Sequence, residues 1–71
     1  MKIGKYTLRI QSTDSEELQV TVDSKEGYII GFWVPEVATF RKWGDSVHRT
    51  ATEVRSPHDI INVVESNNWI K

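Results

Sequence analysis

Two kinds of periodicity divide this chain. From Lys5 to Val34 apolar and polar residues alternate, whereas from Pro35 onward the apolar residues recur every three or four positions. A period of two places alternate side chains on opposite faces of a strand, and a period near 3.6 lines up one stripe of a helix.

Tyr6, Leu8 and Ile10 alternate with Thr7, Arg9 and Gln11, and Leu18, Val20 and Val22 alternate with Gln19, Thr21 and Asp23. Each set predicts a strand with one buried and one wetted face. The segment Ser12-Thr-Asp-Ser-Glu16 carries short polar side chains that satisfy turn backbone, and Asp23-Ser-Lys-Glu-Gly27 ends in a glycine suited to a positive φ. Both connections suit antiparallel hairpins. A third strand departs from simple alternation. Strict alternation there puts Tyr28, Ile30, Phe32 and Val34 on one face, and Ile29 and Trp33 on the other, with Gly31 between. Because the first two strands are polar on that second face, Ile29 and Trp33 need a cover: the C-terminal Trp69 and Ile70, a second subunit or a partner. Gly31 leaves room for a ring on an adjacent strand.

Pro35 and Glu36 suit a helix start, and Val37, Phe40, Gly44, Val47, Ala51 and Val54 follow as a helical stripe. A helix from there to Arg55 is expected, interrupted near Gly44-Asp45-Ser46. The β-branched run Thr50, Thr52, Val54 leaves a fourth strand over residues 48–55 as the alternative. Ser56-Pro57-His58-Asp59 then reads as a capped helix start, with Ile60, Ile61 and Val64 as the buried stripe and Asn67-Asn68 as the stop. The expected fold is α+β: a three-stranded antiparallel sheet (β-β-β) in residues 2–34, followed by two helices packed on one face in residues 35–71, forming a single domain over residues 1–71.

Composition narrows the chemistry. The chain has 71 residues and no cysteine, which excludes disulfides, thiolate metal sites and cysteine nucleophiles. No apolar run approaches a membrane span or a signal peptide, so a cytoplasmic protein is expected. The formal charge is −1. It is unevenly spread: residues 41–58 hold four Lys/Arg against two Asp/Glu and form the only basic segment. On a continuous helix Arg41, His48 and Arg55 fall in one row and Lys42 and Arg49 in the next, a ridge that suits phosphates or an acidic protein. An ordinary solvated helix face, with Arg41 paired to Asp45, is the plainer alternative.

The catalytic inventory is thin. Asp45, Ser46 and His48 lie close in sequence, but on a helix Ser46 points away from the other two. His48 and His58, with Asp45 or Asp59, match no metal-ligand spacing, and no phosphate-binding glycine motif occurs. No cofactor, metal, small molecule or catalytic residue is therefore expected. Three tryptophans are many for so small a core, and large rings are over-represented among interface anchors. The reading is a non-enzymatic module that binds a partner protein or its own copy, through Trp33, Trp43, Arg41, Lys42, Arg49 and Arg55. Nucleic acid bound by the basic flank is the alternative.

Overall fold

A computed structural model of the chain describes residues 1–22, 28–44 and 49–69. Among them the backbone forms six strands and one α-helix. The strands are β1 (Lys2–Ile3), β2 (Tyr6–Ser12), β3 (Leu18–Val22), β4 (Tyr28–Val34), β5 (Thr39–Lys42) and β6 (Thr50–Ala51), and α1 spans Pro57–Ser66. The strands make one sheet in chain order, each antiparallel to the next. The molecule is a single compact domain of mixed α and β content, with a Cα radius of gyration of 11.1 Å.

This corrects the expected fold. The sheet has six strands rather than three, and one helix follows it rather than two. The helix expected from Pro35 to Arg55 is replaced by a 3-10 turn at Pro35–Val37 and the two strands β5 and β6. Proline opens that turn, but Ala38 enters the left-handed region at φ 54° and its N–H closes on the Pro35 carbonyl, so the turn ends after three residues. Val37, the first residue of the supposed stripe, is 64% exposed. Gly44 sits at φ +94°, where no right-handed helix continues. Thr39 to Lys42 instead alternate as a strand, with Phe40 fully buried.

Gly31 explains why the chain prefers this pairing. A Cβ built there would strike both the Arg41 carbonyl oxygen and the Phe40 ring, so only glycine lets β5 approach and Phe40 lie across β4. The register brings Trp33 opposite Phe40 and Gly31 opposite Lys42. These contacts bury Phe40 and Trp33, and tertiary burial overrides local helix preference.

A bulge decides which side of β4 faces inward. Val20 faces Gly31 but Thr21 faces Ile29, so Ile30 is an extra residue in β4. Both Ile30 and Gly31 are buried, and the alternation flips between them. Trp33 is consequently on the core side, and Phe32 on the outer side. The expected assignment was the reverse.

The core joins Leu8, Val20, Val22, Ile30, Trp33 and Phe40 of the sheet to Ile60, Ile61 and Val64 of α1, with Ile3 and Val54 completing it. The helix begins as expected. The Ser56 hydroxyl accepts from the Asp59 N–H at 3.3 Å, while the Asp59 carboxylate reaches back to accept from the Arg55 N–H at 3.0 Å. Asn68 takes φ 57° just past the helix end, and the Trp69 N–H returns to the Val64 carbonyl at 2.8 Å. Trp69 stacks on Phe40 at 6.3 Å between ring centroids. It therefore does dock on the body of the domain, but over Phe40 on the core side. The Asp23–Gly27 turn, the Asp45, Ser46 and His48 set, Val47 and Ile70 lie outside the described residues.

Candidate functional site

The outer face of the sheet is mostly polar over β2 and β3, since Arg9, Gln11, Gln19 and Thr21 share it by register. Across β4 and β5 it changes character. Phe32 faces Arg41 in the ladder, and Trp43 follows at the end of β5 with its N–H bonded to the Ile30 carbonyl at 3.1 Å. The Phe32 and Trp43 rings meet edge to face, with centroids 5.6 Å apart and planes at 74°. Trp43 remains 51% exposed.

Arg41 ties this aromatic pair to β3. Its guanidinium lies 4.9 Å from the Phe32 ring centroid, a cation–π distance. The same guanidinium forks onto Glu17: Nη2 donates to Oε1 at 3.0 Å and to Oε2 at 3.0 Å, and Nε donates to Oε2 at 3.2 Å. Glu17 is held there by the β2–β3 turn. The Thr13 hydroxyl donates to the Glu17 carbonyl at 2.6 Å and accepts from the Ser15 N–H at 3.1 Å, and the Ser15 hydroxyl accepts from the Glu17 N–H at 3.2 Å. This is the local satisfaction of turn backbone expected from the short polar side chains. The product is a surface on which Glu17 balances Arg41 and the large Trp43 ring is half exposed.

The six residues singled out from sequence end in different places. Trp33 is 7% exposed and its Nε1 donates to the Val54 carbonyl at 2.6 Å, which puts it in the core with its polar group satisfied. Arg41 and Trp43 share the outer face. Lys42 is half-buried and falls on the opposite side of β5, since strand side chains alternate; its N–H donates to the Arg49 carbonyl at 2.8 Å. Arg49 is exposed just before β6, and Arg55 is exposed at the start of α1. The basic ridge disappears with the helix that would have aligned it. Sequence reasoning missed Phe32 and Glu17. Phe32 is turned outward by the bulge at Ile30-Gly31, which shows only in the pairing with β3, and Glu17 becomes visible only once β5 is known to lie near β3's start.

Among the described residues no group of three or more His, Cys, Asp and Glu could hold a metal ion, and no helix is long and apolar enough to cross a membrane. Comparison of the chain with models of protein families, with curated proteins and with solved structures finds no match in any of the three.

Proposed function

We propose that this chain is a non-enzymatic interaction module that binds a partner protein, or a second copy of itself, through the outer face of β4 and β5 with Trp43 as the anchor. The observation that carries the reading is the half-exposed Trp43 ring, braced edge-on by Phe32. A large ring already fixed in place loses little conformational freedom on binding, and Trp and Arg lead the residues that dominate interface energies. The lack of cysteine suits a reducing compartment such as the cytoplasm.

A second reading follows from the same rings, because bases stack on exposed aromatic side chains beside cations. Charge favours protein. Arg41 is balanced by Glu17, and Lys42 falls on the opposite side of β5 from Arg41. Affinity capture with the wild type and with Trp43→Ala as baits tests the proposal, with Val37→Ala as a control at another exposed apolar site. A protein retained by the wild type and Val37→Ala but released by Trp43→Ala supports it, with a loss of about 2 kcal/mol or more in affinity and weak salt dependence. Oligonucleotide binding that falls by roughly 0.7 to 0.9 logarithmic units per phosphate contact as salt rises tenfold transfers the site to nucleic acid.

A further inference from the structure

A short link joins the sheet to α1. After β6 the chain turns at Thr52 and Glu53, fastens at Val54, and enters α1 at Pro57. Glu53 sits at φ 60°, a left-handed backbone that costs conformational energy in any residue with a side chain. Its side chain is exposed, so little packing of its own offsets that cost. The local sequence also prefers another course. Thr50, Thr52 and Val54 put a β-branched residue at every second position, a pattern that suits extended backbone, yet β6 stops at Ala51. What holds the turn is the attachment that follows it. The Val54 N–H donates to the Ala38 carbonyl at 2.9 Å, the Val54 carbonyl accepts from Trp33 Nε1 at 2.6 Å, and the Val54 side chain is fully buried.

We propose that the chain from Val54 onward exchanges between two copies, with Thr52 and Glu53 as the hinge, so that α1 of each copy docks on the sheet of the other. The contacts that fasten α1 each join a residue before the hinge to one after it. Besides the two Val54 bonds, they are the packing of Ile60, Ile61 and Val64 on the sheet core, the Trp69 ring on Phe40, and the Tyr6 hydroxyl on the Glu65 carboxylate at 3.3 Å. All of them form unchanged when the two sides belong to different copies. The helix cap travels with α1, since Ser56, Asp59 and the Arg55 N–H all follow the hinge. What changes is the hinge. Straightened, it continues β6, releases the left-handed strain at Glu53 in both copies, and gives the alternating threonines the backbone they suit. Three extended steps from Ala51 to Val54 span about 10 Å, and two such segments lie side by side at about 5 Å. Opposing the exchange is the entropy of bringing two chains together, so protein concentration sets the balance. Trp43 and Phe32 take no part in it, and the exchange therefore stands independently of the outer-face reading.

Refolding the untagged chain from urea at high protein concentration, followed by dilution and sedimentation, tests it. The expected result is a dimer that dissociates slowly, because separating the copies requires lifting α1 from the core. Refolding a mixture of isotope-labelled and unlabelled chains identifies the contact: isotope-filtered NOEs are expected between Trp69 of one copy and Phe40 of the other. Glu53→Gly removes the strain from the single chain, because glycine takes a positive φ freely, and lowers the association constant about tenfold or more. Glu53→Val, β-branched, raises it by a similar factor. Trp43→Ala leaves it unchanged. A chain that stays monomeric after refolding at its solubility limit overturns the proposal. So does a dimer in which Trp69 meets only its own Phe40, or one indifferent to Glu53→Gly. A dimer lost in Trp43→Ala overturns it too and assigns self-association to the outer face. If Glu53→Val does not fold, Glu53→Gly and the wild-type NOEs decide.

Discussion

The two tryptophans on either side of the β4–β5 pair have opposite surroundings. Trp33 is buried against Phe40, and its one polar atom is bound to the Val54 carbonyl. Trp43 shows half its surface, touches Phe32 by a ring edge, and lies near a guanidinium that already has a carboxylate. On the inner face the Trp33 and Phe40 rings are locked by burial and contribute to stability. On the outer face the contacts are mostly with charged and aromatic side chains in water, where each is worth little to folding. The difference teaches that ring count alone does not locate a binding surface. What matters is whether folding already uses the ring.

The sharpest way to break this contrast is Phe40→Ala. The ring is fully buried between Gly31 and Trp69, so removing it should destabilise by about 3–5 kcal/mol, a large share of the stability of so small a domain. Urea denaturation reads this directly. A variant melting within a fraction of a kcal/mol of the wild type would mean that the inner face is not the core. Next come two changes at about 1–3 kcal/mol each. Gly31→Ala forces a methyl group into the Phe40 ring and the Arg41 carbonyl, and overpacking there pushes β5 away from β4. Trp33→Phe keeps a ring but leaves the buried Val54 carbonyl without its donor. If Trp33→Phe is neutral while Phe40→Ala is severe, the hydrogen bond to Val54 contributes nothing beyond ring packing.

Much of the inner face was legible in local pattern, and most of the outer face was not. Leu8, Val20 and Val22 announce themselves by alternation, and Ile60, Ile61 and Val64 by helical spacing after a serine cap. These signals lie within single elements. The bulge at Ile30 is different, because one extra residue shows only against the partner strand, and it moved Trp33 and Phe32 to each other's side. Residues 39–51 misled for a related reason. Phe40, Ala51 and Val54 keep a spacing that also fits a helix, yet Phe40 and Ala51 face the core from strands and Val54 from a segment outside any helix, with partners as distant as Gly31 and Trp33. Short β1 escaped notice because two residues are too few to show a period, although Gly4 at φ 58° marks the turn that creates it. Of the outer cluster, Trp43 and Arg41 were singled out by residue type, and the strand topology brought Phe32 and Glu17 to them.

The outer face should respond weakly in stability. Breaking the Arg41–Glu17 fork by Glu17→Gln is expected to cost about 0.2–1 kcal/mol, because both side chains are one-third exposed and the pair is screened by salt. A double-mutant cycle with Arg41→Gln isolates the coupling, which should shrink as ionic strength rises. A coupling well above about 1 kcal/mol that is insensitive to salt would make this pair part of the folding core and erase the distinction between the faces.

Trp43→Ala should change stability least, within about 0.5 kcal/mol, since half of the ring is already in water and its only ring contact among the described residues is the edge of Phe32. The small value is informative because the residue is so large. A buried tryptophan truncated to alanine loses about 3–5 kcal/mol, so a ring that folding does not need stands out against that scale. The unfolding midpoint and slope of Trp43→Ala, measured beside those of Phe40→Ala, give the comparison directly. Equal losses at both positions would show that Trp43 is held by the fold as firmly as Phe40, and the outer face would then have no ring to spare for a partner. A near-zero loss, together with loss of binding in the capture experiment, would separate the two faces by function as cleanly as burial separates them in structure.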